Sequence, residues 1–332
     1  MQVVLPILLI LAAAVAPAQT KKVLVFGMRP PALAELQSVS PKVEIEAAPT
    51  DPARLREAVR DAEGMIGNVP PELIAESPRL RWVQTNSAGV ERYRAPEIVN
   101  SSVILTNCKI LQGPNIADHA FALLLGLTRG VHLASRNRGE WTGGAYQPIE
   151  LMGKTAVVIG VGGIGSQIAQ RAHAFGMRVI GVDPKEMPYN PFVTRMVFPD
   201  RLESVLPEAD VVFVAAPLTA ETELLMNSKR FGLMKQGSYF IAVSRGGLID
   251  TDALMQALDS RKLAGAGLDV TNPEPLPKGH PLWNFDNVII TPHIAHRSDN
   301  VQERRMNLFK TNLARFAEGE PLVNVVDKKK GY

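Results

Sequence analysis

The chain has a single cysteine, Cys108, among its 332 residues. It can form no intramolecular disulfide and no zinc site built from several thiolates. A dominant charge sign is also missing. Lys and Arg number 36 against 33 Asp and Glu, a net charge of +3. That balance gives no reason to expect nucleic acid as a partner, and Lys328–Lys330 reads as a solvated run near the chain's end. No internal repeat is visible. A membrane-length apolar run is absent too. Val3 to Val15 is apolar but short, and Pro6 and Pro17 interrupt the region. Residues 1–20 carry no charge, and Ala16-Pro17-Ala18 precedes Gln19 as a small-residue cleavage site. We therefore expect a signal peptide at 1–20, with export to a periplasm or the exterior and no stable membrane span once it is cleaved. Against this, Lys and Arg are missing ahead of the apolar run and there is no twin-arginine pair. A cytoplasmic chain is the alternative.

What is present is ordinary for a folded chain, with 46% hydrophobic and 21% charged residues and a length suited to two domains. The most informative stretch is Thr155 to Asp183, TAVVIGVGGIGSQIAQRAHAFGMRVIGVD. Ala156–Ile159 suits a buried parallel strand, Ser166–Phe175 a helix and Arg178–Val182 a second strand. Between the first strand and the helix, Gly160, Gly162 and Gly165 have G-x-G-x-x-G spacing, with Gly163 and Ile164 completing the turn. One glycine makes the turn, one admits a pyrophosphate to the backbone and one lets helix and strand approach. The helix N-terminus then offers free N–H groups to the phosphates. Asp183 ends the second strand about where an acid meets the ribose hydroxyls, which favours NAD over NADP. Strand, motif, helix, strand and acid in order indicate a dinucleotide site.

Upstream, short strand-like runs at Lys22–Phe26, Val43–Ala47, Gly64–Gly67, Leu80–Thr85 and Val103–Thr106 alternate with helical stretches and contain no glycine fingerprint. This predicts a smaller partner domain. Downstream, runs at 210–215, 239–243, 264–268 and 288–290 complete the dinucleotide sheet. The expected fold is α/β, with two doubly wound parallel-sheet domains. One is a Rossmann domain at 113–297, and the other a flavodoxin-like substrate domain at 21–112 and 298–332. Asn115 reads as the cap of an apolar helix over Ala117–Leu127. Ser87, Ala88 and Gly89 follow a strand's carboxyl end, where free backbone N–H groups can receive an anion such as a carboxylate. A simple turn is the competing reading.

Three polar residues follow downstream strands at their carboxyl ends: Arg245 in Ser244-Arg245-Gly246-Gly247, Glu274 in Asn272-Pro273-Glu274-Pro275, and His293 in Thr291-Pro292-His293-Ile294-Ala295. All should face the edge of the sheet that carries the glycine turn. With SAGV at Ser87–Val90, ADHAFALLL at Ala117–Leu125, APLTAET at Ala216–Thr222 and HPLW at His280–Trp283, these stretches resemble the D-isomer-specific 2-hydroxyacid dehydrogenase family.

The resemblance implies an enzyme moving a hydride between NAD and C2 of a small 2-hydroxy or 2-keto acid of the glyoxylate or hydroxypyruvate kind, and a homodimer. It implies His293 as acid/base, Glu274 holding its ring, and Arg245 clamping the substrate carboxylate opposite Ala88 and Gly89. Ala216, Pro217 and Thr222 would line the cofactor channel, and Asp269 would meet the nicotinamide end. The alternative is an NAD(H)-sensing binding protein of the same fold. His293, His296 and Glu274 are residue types that bind metals, but the motif set favours proton transfer, and no metal is expected. His296 stands where relatives more often carry glycine, and a place at the pocket edge is expected for it.

Overall fold

Short runs of Val, Ile, Leu and Ala bounded by turn residues favour strands buried on both faces. In the computed structural model of the chain, twelve strands among the described residues form two parallel sheets. The structure describes residues 20–136, 139, 141, 147–186 and 188–332. The expected signal peptide lies outside them, apart from Thr20.

The first sheet contains β1 (Lys21–Phe26), β2 (Val43–Ala47), β3 (Gly64–Gly67), β4 (Trp82–Thr85) and β5 (Ile104–Thr106), in the order β2-β1-β3-β4-β5. That is the flavodoxin-type order. The second contains β6 (Thr155–Ile159), β7 (Arg178–Val182), β8 (Arg195–Val197), β9 (Val211–Val214), β10 (Ser238–Ala242), β11 (Leu263–Leu268) and β12 (Val288–Ile290). Its order is β12-β11-β10-β9-β6-β7-β8. The order reverses between β6 and β9, so a crevice opens at their carboxyl ends. Strand β8 has no counterpart in the sequence pattern. It is a three-residue edge strand with no buried position, and so carries no apolar run.

Alternate residues of the second sheet build two cores. Val157, Ile159, Ile180, Val212, Val214 and Phe240 face one layer, while Ala156, Val158, Val179, Phe213 and Ile241 face the other. Ile116, Phe121 and Leu124 of the helix Gly113–Thr128 cover that second face. Each such side chain contributes about 1.5–3 kcal/mol when taken from water. This helix starts two residues ahead of Asn115, because Pro114 fits a first turn. Asn115 is consequently not its cap. Its amide donates to the Ala295 carbonyl at 2.8 Å and accepts from Arg304 at 3.2 Å. The helix Thr251–Asp259 is capped by Asp250, which accepts from the Ala253 N–H at 3.0 Å. Among the described residues no helix is long and apolar enough to cross a membrane.

The chain divides into two compact units. One holds the described residues to Gln84 with Ser102–Ile104 and Phe309–Val323, and the other holds Thr85–Ser101, Leu105–Leu308 and Asn324–Tyr332. These limits differ from the expected 21–112 with 298–332 and 113–297. Glu91 pairs with Arg245 at 3.0 Å, and Arg94 donates to the Leu218 carbonyl. Thr85–Ser101 therefore packs within the unit that also holds the glycine turn, Arg245, Glu274 and His293.

Candidate active site

The glycine turn sits where the strand order reverses. Gly160 ends β6 with φ +86°, a conformation open to glycine at little cost. A Cβ at Gly165 would run into the Gly160 carbonyl, 2.8 Å from its carbon, so only glycine lets the helix Gly163–Ala174 approach β6 so closely. Around Gly162, by contrast, a Cβ would meet nothing within 4 Å. That open space adjoins the helix N-terminus, as a pyrophosphate requires. Ala216 and Pro217 follow β9 across the crevice, and Thr222 closes their loop by donating to the Pro217 carbonyl at 2.7 Å. Ser244 Oγ, at the end of β10, is buried with no hydrogen-bond partner among the described residues. The open cradle and the orphan hydroxyl both fit a bound dinucleotide.

Asp183 follows β7 and accepts from the N–H groups of Val161 at 2.9 Å and Lys185 at 3.0 Å. Its carboxylate thus spans the glycine turn and its own strand end. Tyr332 stands nearby with Lys185 4.3 Å from its ring centre. Burial, and then the negative charges of Asp183, Asp327 and Glu221, push its phenol above the usual value. No local pattern announces this neighbour, since 149 positions separate Tyr332 from Asp183.

Arg245, Glu274 and His293 follow β10, β11 and β12, three neighbouring strands, and so reach one edge of the sheet. His293 Nδ1 lies 2.6 Å from Glu274 Oε1. A carboxylate only accepts, so Nδ1 carries the proton in this pair and Nε2 is left for a ligand. The two side chains are 37% and 40% exposed, enough for a small molecule to reach them. His293 itself has φ +51°, in the left-handed region. The loop is held there from below. Buried Asp269 accepts from Thr291 Oγ1 at 2.6 Å and from the N–H groups of Ile294 and Ala295, each at 2.9 Å. The His293 N–H donates to the Asp269 carbonyl at 2.9 Å. Asp269 is 1% exposed. Its carboxylate pins the loop that carries His293. His119 Nε2 lies 2.8 Å from Thr291 Oγ1, on the far side of the same cluster.

Arg245 approaches the turn after β4. Its Nε donates to Glu91 and its Nη1 to the Ser244 carbonyl at 2.8 Å. Its Nη2 passes directly over Gly89, at a place that a Cβ would occupy. Ser87 and Ala88 are fixed through their carbonyls, by the Cys108 N–H at 2.9 Å and the Asn107 amide at 2.7 Å. The N–H groups of Ala88 and Gly89 have no acceptor among the described residues. Two free N–H groups and a guanidinium edge make a corner suited to a carboxylate. Glu91 is a site neighbour that sequence reasoning missed. A single acid after SAGV carries no local signal, and only the fold brings it to Arg245.

His296 stacks edge-on against His293, with ring centres 5.8 Å apart and planes at 85°. Among the described residues no group of three or more His, Cys, Asp or Glu could hold a metal ion.

Known proteins are similar to this chain in sequence and in fold. The profile described as D-isomer specific 2-hydroxyacid dehydrogenase, NAD binding domain, matches residues 121–295. A glyoxylate reductase of Pyrococcus furiosus is 35% identical over 298 residues, covering 83% of this chain and 85% of its own. Among solved structures, a D-isomer specific 2-hydroxyacid dehydrogenase from Xanthobacter autotrophicus, in complex with NADPH and MES, superposes with a TM-score of 0.82 at 27% identity. The match covers 94% of this chain and all of that one. A D-lactate dehydrogenase from Aquifex aeolicus, complexed with NAD and lactic acid, gives 0.75 at 27% identity, over 92% and 99% of the two chains.

Proposed function

Because the chain belongs to the D-isomer-specific 2-hydroxyacid dehydrogenase family, we propose that it interconverts a small 2-keto acid and the matching D-2-hydroxy acid, with glyoxylate or hydroxypyruvate as leading substrates. In the reducing direction the keto acid, NADH and one proton give the hydroxy acid and NAD. The bound cofactor supplies the hydride that reaches C2. Arg245 and the N–H groups of Ala88 and Gly89 hold the substrate carboxylate and turn C2 toward the glycine-turn side of the crevice. The guanidinium also draws electron density onto the 2-keto oxygen. His293 releases the proton on Nε2 to that oxygen, and Glu274 keeps the ring oriented through Nδ1. In the oxidising direction the same nitrogen takes the proton back.

The observation that carries this reading is the His293–Glu274 pair at 2.6 Å, on the same sheet edge as Arg245 and the open glycine cradle. Asp183 supports NAD as the preferred cofactor, because a carboxylate repels a 2′-phosphate. A homodimer is the assembly we favour. Met152 (75% exposed), Val131 (57%) and Phe175 (42%) support it as apolar surface beside the Gly113–Thr128 helix. Light scattering after size exclusion would test it, and a monomer would overturn it.

Loss of NADH absorbance with a panel of 2-keto acids tests the activity. Turnover of glyoxylate or hydroxypyruvate is expected. Tight NADH binding with no turnover of any acid would leave the NAD(H)-sensing protein as the surviving reading.

A further inference from the structure

One cavity next to the triad has no task in that hydride transfer. It measures about 360 Å³ and is lined by His296, Arg297, Ser298, Val301, Gln302 and Arg305. Since His296 stands edge-on to His293, the cavity begins one ring away from the proton donor. Its lining contains two guanidinium groups, a hydroxyl and an amide, and no acid among the described residues. The exposed Arg297 side chain has no hydrogen-bond or ion-pair partner among the described residues. Arg305 donates through Nη1 to Gln302 at 3.1 Å and also hydrogen-bonds Cys108, while its Nε is buried and unpartnered among them. The helix Val301–Glu318 starts in the wall of the cavity. The first N–H groups of an 18-residue helix lack intrahelical acceptors, and its dipole favours negative charge there.

We propose that this cavity extends the substrate range beyond glyoxylate and hydroxypyruvate to 2-keto acids with a second anionic group, a carboxylate or phosphate at the far end of the carbon chain. The proposal rests on the reading that C2 of a 2-keto acid lies at His293. With that carbon at His293, the edge-on His296 ring is the part of the cavity wall next to it, and Arg297 and Arg305 share that wall. A neutral chain would leave two guanidiniums facing it without an anion, whereas an oxyanion would gain charge-assisted hydrogen bonds. Burial, then the charges of His293 and Arg297, holds the His296 imidazole below its ordinary value. It therefore meets the chain as a neutral ring, and the positive charge is left to the arginines. The cavity thus separates substrates by side group, a task independent of proton transfer.

The test compares kcat/KM with NADH for 2-oxoglutarate, 3-phosphohydroxypyruvate, the neutral 2-oxopentanoate and glyoxylate. At least one anionic acid should exceed 2-oxopentanoate by about tenfold or more, and which one does so identifies carboxylate or phosphate as the group received. In Arg297→Gln that ratio should fall by about 10–100-fold, and in Arg297→Lys it should largely return. Arg297 has no side-chain partner among the described residues to lose, and an unchanged melting temperature verifies folding. Arg305→Gln gives a second reading of the same ratio. Turnover of glyoxylate without preference for either anionic acid, or a preference untouched by both substitutions, overturns the proposal alone. No turnover of any of the four acids overturns the underlying function instead.

Discussion

Replacing Gly89 with alanine should disable the carboxylate corner while leaving the fold in place. A Cβ at this position would lie 2.9 Å from Arg245 Cζ, 2.5 Å from Glu91 Oε2 and nearer still to Arg245 Nη2. Ordinary contact begins near 3.4 Å, so the guanidinium must withdraw by more than about 1 Å. Gly89 is not among the positive-φ glycines, so the backbone itself accepts a side chain. The groups in the way are ends of flexible side chains, which can move without disturbing a strand. Fewer unfolded conformations offset some of the cost, by about 0.4–1 kcal/mol. The melting temperature should therefore stay within about 2–4 °C of the parent. Catalysis should not be spared, because a displacement of about 1 Å in a positioning group costs on the order of 100-fold. That corresponds to about 2.7 kcal/mol of lost transition-state stabilisation, read as kcat/KM from NADH consumption with glyoxylate. NADH affinity, measured by fluorescence titration, should change less than about twofold, since Gly89 lies apart from the glycine turn. A Gly89→Ala enzyme within about threefold of the parent kcat/KM would refute the argument, for the substrate carboxylate would then not sit between Arg245 and this turn.

Three further outcomes follow from the geometry. His293→Ala should lower kcat by about 10²–10⁴-fold with NADH binding retained, and equal loss of cofactor binding would mark His293 as a structural residue. Asp183→Ser should weaken NAD by about 10–100-fold and NADP much less, and a constant preference would show that the carboxylate does not read the ribose. Burial pushes the Cys108 thiol from its ordinary 9.0 up to about 11, with the positive charge and hydrogen bond of Arg305 pulling the other way. Because the folded value is raised, this stabilisation is complete below pH 9.0 and is lost as pH climbs to about 11. Urea unfolding should show the parent losing roughly 2–3 kcal/mol more than Cys108→Ala across that window, and parallel pH dependence in the two proteins would count against a buried thiol.

Features encoded locally are legible in the amino-acid order itself. Eleven of the twelve strands among the described residues fall on runs that the sequence pattern marks as strands, and the glycine turn, Asp183, Arg245, Glu274 and His293 each follow such a strand. Local pattern is silent wherever a side chain finds its partner through the fold. Asn115 has the chemistry of a helix cap, yet Ala295 and Arg304, 180 and 189 residues away, satisfy its amide instead. Asp269 belongs to a family motif, but the motif does not show what its carboxylate holds inside the protein. The fold buries it under the His293 loop, where three donors converge on its two oxygens. Glu91 and Tyr332 are invisible for the same reason, and β8 escapes because an exposed edge strand needs no hydrophobic pattern.

The Asp269 clasp has a consequence for how this protein can change. It fixes Thr291, Ile294 and Ala295, and with them the backbone of His293, but its grip ends there. His296 and Arg297 come next in the chain and face the cavity beyond. Two neighbouring residues are thus free to vary while the proton donor stays where it is. Mutation can retune which acids are accepted without rebuilding the chemistry, because one buried carboxylate draws the boundary between the two.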